Sequence, residues 1–162
     1  MSKRRIVFDA LNDLNIPYEI AEHPAVLTIE DIDALGLDPN GEVAKNLFLC
    51  DDKKQRFFLV TVRKTKTVNL QNLREVLGSR RLSFVSEERL GRMMGLDKGE
   101  VTPFGILNDT TGIIEVFLDK DFKNFKRIGV HPNDNTATVW LEPADLERVI
   151  KKSGADFSYI AL

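Results

Sequence analysis

Two strand-length apolar segments, near Asn46–Cys50 and Arg56–Val62, face each other across the polar run Asp51-Asp52-Lys53-Lys54-Gln55. That pattern predicts a hairpin, which commits the chain to a sheet. The surrounding elements decide which kind. Ile6, Val7, Ala10, Leu11 and Leu14 mark one face of a helix over about Ser2 to Leu14. A short strand, Tyr18 to Glu22, ends at His23-Pro24, and Thr28 with Asp31 resembles a capping-box start for a helix that Gly36 stops. Glu42-Val43-Ala44 reads as a helix end feeding the first hairpin strand. Asn69 caps a helix to Leu77 that Gly78 ends, and Ser86 caps Glu87 to Met94 ahead of Gly95. Beyond the loop Gly99–Gly105, strands are expected near Ile113–Leu118, Lys126–Val130 and Thr136–Leu141. Pro143 opens a last helix, Gly154 closes it, and Phe157–Ile160 forms a final strand. Hairpin-linked strands with interspersed helices indicate an α+β fold, not a doubly wound parallel one. The expectation is a single domain over residues 1–162 with a mixed, mostly antiparallel sheet flanked by helices.

The chain has 162 residues, 43% of them hydrophobic, enough to bury roughly two-thirds of its unfolded surface. No apolar run approaches the roughly 18 to 20 residues of a membrane helix. Asp9, Asn12 and Asp13 interrupt what would otherwise follow Lys3-Arg4-Arg5 as a signal-peptide core. A cytoplasmic location without a membrane partner is the default. The single cysteine, Cys50, lies in a strand pattern and is expected as a small core residue, so neither a disulfide framework nor a thiol metal cluster is available. GxGxxG, P-loop, GxSxG and HExxH motifs are absent. Two histidines exclude a multi-histidine metal site, leaving only a His-plus-carboxylate alternative. No metal and no cofactor are expected. Net charge is −2, yet nine of the 23 Lys and Arg lie in residues 53–81 against one acid, Glu75. Such a run serves either as a solvated face or as a track for a polyanion.

Four polar signals remain. Lys45-Asn46 stands where the expected helix end meets the strand. A lysine there caps carbonyls or snorkels to water, but it is also placed to stabilise a developing negative charge. Gly99-Glu100-Val101-Thr102-Pro103-Phe104-Gly105 has the glycines and proline of a defined loop whose N–H groups can hold an oxygen, although Gly and Pro bracket most turns. In His131-Pro132-Asn133-Asp134-Asn135-Thr136, turn chemistry accounts for residues 132–134 but less readily for His131. His23-Pro24 is similar and less specific.

These segments together resemble the proline-tRNA-synthetase-associated editing domains of the YbaK-like fold, especially the free-standing members that deacylate alanyl-tRNA(Pro). The resemblance covers nearly the whole chain. It rests on Glu22-His23-Pro24 with Thr28-Ile29-Glu30, Ala44-Lys45-Asn46-Leu47-Phe48-Leu49, Leu82-Ser83-Phe84 with Ser86 to Leu90, Gly99 to Asp109, and His131 to Thr138. It implies Lys45, Asn46 and His131 as catalytic residues. It also implies a substrate-binding set of His23 with Gly99, Thr102, Pro103, Phe104 and Gly105. The implied partner is the tRNA(Pro) acceptor end carrying alanine, laid along Arg63, Lys64 and Lys66. Prolyl-tRNA synthetase or elongation factor are candidate protein partners, and DNA is not expected. A cysteinyl-tRNA(Pro) deacylase of the same fold and a non-catalytic amino-acid or tRNA sensor are the competing readings. Apolar residues around Leu47, Phe104 and Ile106 are expected to wall the amino-acid pocket.

Overall fold

A computed structural model describes residues 2–25 and 41–162. The helix expected after Thr28 lies outside the described residues.

Helix α1 (Arg5–Asp13) buries Val7 and Leu11 on one face, and strand β1 (Glu19–Glu22) follows it. Strand β2 (Gly41–Asp51) and strand β3 (Phe57–Arg63) form the hairpin expected from the sequence. One correction arises here: Glu42, Val43 and Ala44 belong to β2, not to a helix. Gly41–Val43 pairs in parallel with residues 127–129, a partner too distant in sequence for local pattern to reveal.

Helix α2 (Leu70–Leu77) starts where Asn69 Oδ1 accepts the amides of Gln71 and Asn72, and stops at Gly78, which takes φ 62°. Strand β4 (Leu82–Phe84), not foreseen, is three residues long. Helix α3 (Glu87–Met94) is capped by Ser86 Oγ, with Glu87 and Glu88 in its first turn. A 3-10 turn, Pro103–Asn108, leads to β5 (Ile114–Asp119), a second 3-10 turn (Lys120–Asn124), β6 (Arg127–Val130) and β7 (Ala137–Leu141). Helix α4 (Pro143–Lys152) and β8 (Asp156–Ile160) complete the chain.

The strands form one mixed sheet in the order β1-β7-β6-β2-β3-β5-β8, with β4 also on β2. Pairings β1–β7, β6–β7, β2–β3 and β2–β4 are antiparallel, while β2–β6, β3–β5 and β5–β8 are parallel. Strand β2 is the organising element. Along one edge it pairs with β3 from Ala44 to Cys50. Along the other, the ladder to β6 stops at Val43 and that to β4 begins only at Leu49.

Alternation sends Ala44, Phe48 and Cys50 to one face, where they join the main core with Val7, Leu90, Phe104 and Leu146 from the helices and the 3-10 turn. Leu49, Phe58, Val60 and Val62 point to the other face and pack with Leu73 and Leu77 of α2. Each fully buried side chain of this size contributes about 1.5–3 kcal/mol. Farther along that second face the Trp140 ring lies across Gly41 and Gly129. A Cβ at Gly41 would stand 2.4 Å from Trp140 Cζ3, and one at Gly129 2.8 Å from the same atom. Trp140 is 4% exposed, so it has little room to retreat. Gly129→Ala is expected to cost about 1–3 kcal/mol by overpacking. Urea unfolding measures this, and an unchanged midpoint would mean that the indole moves aside.

Candidate active site at the break in the edge of the central strand

The break along β2 spans the segment that carries Lys45. Gly41 and Gly129 both face Trp140, so residues 41, 43 and 45 of β2 share a face with Gly129. The β2–β6 ladder ends with Val43 paired to Gly129, two residues before Lys45 on one strand and two before His131 on the other. The two side chains expected to work together are therefore both carried just past the point where these parallel strands part.

Lys45 is half-buried. Its ammonium donates to the carbonyl oxygen of Lys66, and among the described residues no carboxylate pairs with it. Burial pushes its pKa below the usual lysine range. Asn46 points the opposite way: its Oδ1 accepts the Thr61 hydroxyl at 2.7 Å on the core face of the sheet. The amide group of Asn46 is thus not brought beside the Lys45 ammonium. Leu47 returns to the Lys45 face.

His131 follows the end of β6. Its Nδ1 lies 3.0 Å from the Ala137 carbonyl, which can only accept, so Nδ1 carries the proton and a neutral ring keeps Nε2 as an acceptor. Burial is the largest influence on this ring and holds its pKa below the ordinary histidine value; nearby His23 acts in the same direction. The bond to Ala137 and the charges of Asp134 and Glu100 oppose it without prevailing. The His23 ring sits 6.3 Å from that of His131, centroid to centroid. Its Nδ1 faces the Pro24 carbonyl at 2.9 Å, and its Nε2 lies 2.9 Å from the Thr138 hydroxyl. The structure thus brings His23, His131 and Thr138 together. Thr138 was not singled out from the sequence, since a threonine inside a strand looks like any other β-former.

The Gly99–Gly105 loop buttresses this group from behind. Thr102, fully buried, donates its hydroxyl to the His131 carbonyl at 2.7 Å. The same hydroxyl caps the Phe104 amide at 3.4 Å, and the Thr102 carbonyl takes the Gly105 amide at 3.0 Å. These two N–H groups are used within the loop. Phe104 and Ile106 are core residues at 0% and 4% exposure, and Pro103 is buried beside them. Gly99 adopts φ 85°, a conformation that favours glycine. Lys3 ties the loop to the N-terminal segment through Glu100 at 2.7 Å and Asp97 at 3.1 Å.

Arg4 had no local signal at all. Its Nε and Nη2 grip Asp134 at 2.7 and 3.3 Å, Nη2 reaches the Thr136 hydroxyl at 2.6 Å, and Nη1 pairs with Glu22 at 2.7 Å. Asp134 in turn accepts the Thr136 amide at 2.9 Å. One side chain from the start of the chain so fixes the turn that carries His131. Only a contact across 130 residues reveals it.

The expected tRNA track looks different in three dimensions. Arg63 pairs with Glu42 at 2.9 Å and lies 3.8 Å from Asp121, with its guanidinium over Phe125. Lys66 is held by Asp119 and Asp121, each at 2.9 Å. The Lys64 amide donates to the Val43 carbonyl at 3.1 Å. Among the described residues no three His, Cys, Asp or Glu side chains converge as a metal-binding group, and no helix is long and apolar enough to cross a membrane.

A half-buried lysine with no carboxylate partner among the described residues and a histidine with a free acceptor nitrogen are groups that can polarise a carbonyl and hold water. Residues 23–149, which contain this whole arrangement, match the aminoacyl-tRNA editing domain family, and the chain belongs to that family of aminoacyl-tRNA deacylases. It is 41% identical over 162 residues to the "Prolyl-tRNA editing protein ProX" of Acetoanaerobium sticklandii, covering 100% of this chain and 99% of that protein. It is 35% identical over 152 residues to the "Prolyl-tRNA synthetase associated domain-containing protein 1" of Danio rerio, covering 93% and 82%. The fold matches a crystal structure described as a candidate trans-editing enzyme for prolyl tRNA synthetase, with TM-score 0.74 at 20% identity over 100% of this chain and 98% of that one.

The lowered pKa of His131 carries a sign. Below its ordinary value of about 6.5 the unfolded ring takes up a proton that the folded ring resists, so stability is present above about pH 6.5 and lost as pH falls toward the folded pKa. Comparing urea midpoints of the wild type and His131→Gln between about pH 7 and 5 should show the wild type losing stability more steeply. Equal slopes would remove the buried ring as the cause.

Proposed function

We propose that this chain edits in trans, hydrolysing the ester of mischarged tRNA(Pro), and that the amino acid it removes is alanine. The observation that carries the reading is Lys45: a half-buried ammonium with no carboxylate partner among the described residues, placed just past the end of the parallel ladder that His131 also follows. An aminoacyl ester is already activated, so water, position and electrostatics suffice, without a covalent nucleophile. The Lys45 ammonium polarises the ester carbonyl and stabilises the oxyanion, a contribution of about 3–4 kcal/mol for a good donor. His131, with Nε2 as acceptor, orients the attacking water or the substrate amine, and His23 and Thr138 hold the other side of the pocket. Asn46, bonded to Thr61 behind the sheet, steadies the strand under Lys45. The Gly99–Gly105 loop supports His131 through Thr102 and lies against the terminal adenosine.

Such an activity answers a physical limit. A synthetase pocket sized for proline excludes the smaller alanine weakly, since each missing methylene is worth only about 1–3 kcal/mol. A second site that admits a methyl side chain and refuses the proline ring removes the error, with Leu47 on the Lys45 face as its apolar wall. The acceptor arm runs along the cations of the segment 53–81 other than the ion-paired Arg63 and Lys66, so binding weakens with salt. The relatedness to a prolyl-tRNA editing protein over essentially its full length supports this substrate.

Purified protein incubated with alanyl-, cysteinyl- and prolyl-tRNA(Pro) and with alanyl-tRNA(Ala) should remove ester from the first fastest and leave the last two charged. Faster loss from cysteinyl-tRNA(Pro) would move the substrate assignment, and binding without turnover would refute the enzyme. Lys45→Ala should lower the rate by well over tenfold with the circular dichroism unchanged, in keeping with the loss of one transition-state donor.

A further inference from the structure

We infer that Asp119 is a positioning residue for Lys45, acting through Lys66, and that the task of Lys66 is to hold this lysine in place rather than to contact tRNA. The inference rests on the assignment of Lys45 to the ester carbonyl.

The chain of contacts is short and complete. Asp119 closes β5 and is 0% exposed. Its Oδ2 accepts the Lys66 ammonium at 2.9 Å and lies 3.4 Å from the Arg63 amide; its Oδ1 accepts the Lys66 ammonium at 3.0 Å and the Asp121 amide at 3.0 Å. The Lys66 ammonium also reaches Asp121 at 2.9 Å and the Leu162 carbonyl at 3.2 Å. The segment from Arg63 to Lys66, directly after β3, is further fastened by the Lys66 amide to the Arg63 carbonyl at 3.0 Å and by the Lys64 amide to β2 at Val43. The carbonyl oxygen of Lys66, pinned on all these sides, is the one that receives the Lys45 ammonium.

A solvent-facing turn does not require a fully buried carboxylate to shape it, because a buried charge is tolerated only where it is paired. Here the charge and its pairing serve to fix one carbonyl. Lys45 stands on a flexible four-carbon stem whose ammonium has three donors. One carbonyl bond orients that ammonium, leaves two donors for substrate, and does not neutralise the charge as a carboxylate would. The ion pairs Lys66–Asp119 and Lys66–Asp121 therefore sit one step behind the reacting group, and the cation of Lys66 is already matched by two carboxylates.

Single-turnover and steady-state deacylation of alanyl-tRNA(Pro) test this in five full-length variants: Lys66→Met, Lys66→Arg, Asp119→Asn, Lys45→Ala and the double variant Lys45→Ala with Lys66→Met. Misplacing Lys45 should cost Lys66→Met and Asp119→Asn roughly tenfold to a hundredfold in kcat. KM for the tRNA should stay within about twofold, while Lys66→Arg recovers most of the rate. On the Lys45→Ala background, Lys66→Met should have no further effect, because the two act as a unit. A raised KM with unchanged kcat in Lys66→Met would make Lys66 a tRNA contact and overturn the inference. So would a further loss on the Lys45→Ala background, which a general weakening of the fold produces. If Asp119→Asn does not fold, Lys66→Met and Lys66→Arg decide alone. Full activity in Lys45→Ala would sink the function assignment itself; loss there with normal Lys66→Met kinetics would sink only the positioning role.

Discussion

Everything functional in this molecule depends on how β2 satisfies its backbone. A central strand has two rows of amide and carbonyl groups to pair. Strand β2 pairs one row with a single partner and divides the other between β6 and β4. Between Val43 and Leu49 the division leaves a stretch of this edge that no strand among the described residues pairs in a ladder. A polar group placed there can reach substrate while the residues on either side keep the sheet rigid. Lys45 gains a precisely aimed stem because Val43 and Leu49, just outside the gap, are locked into ladders.

The electrostatic arrangement follows from the same architecture. Most cations described around the site are matched: Arg4 by Asp134 and Glu22, Arg63 by Glu42, Lys66 by Asp119 and Asp121. Lys45 has no carboxylate partner among the described residues, and burial weakens its hold on the proton. A cation left in partial burial is poised to gain when a neighbouring oxygen becomes negative, which is the condition for favouring a transition state over its ground state. The neutral ring of His131 complements it, since an imidazolium there would compete for that oxygen and repel the lysine.

Local chemistry was legible wherever it was complete within a few residues. Asn69 with Gly78 and Ser86 with Gly95 mark helix ends by side-chain caps and left-handed termini, and Pro143 marks a start by its fixed φ, none of which needs a distant partner. The segment Glu42–Ala44 was misread as a helix end because its strand character comes from Arg127–Gly129, far along the chain. Strand β4 escaped notice because three residues cannot establish a period. At the site, the types Lys45 and His131 stood out, but only the resemblance joined them; the parallel β2–β6 ladder that precedes both is one that no spacing encodes. Asn46 sits next to Lys45 in sequence and on the opposite side of the sheet in space. Lys66 looked like free charge because its carboxylates, Asp119 and Asp121, lie more than fifty residues away, and Arg63 because Glu42 meets it only across the β2–β3 hairpin.

The pairing of β1 with β7 also governs when the site can exist. Residues 19–22 find their partners at 137–140, and His23 meets Thr138 across the same junction. During synthesis the early strand must therefore wait unpaired until most of the chain has left the ribosome, and contacts of such long sequence separation close slowly. A partly made chain carries Lys45 on its hairpin but no His131. On the proposed assignment of Lys45 and His131, such a chain lacks half of the pair. Editing competence arrives only with the finished fold.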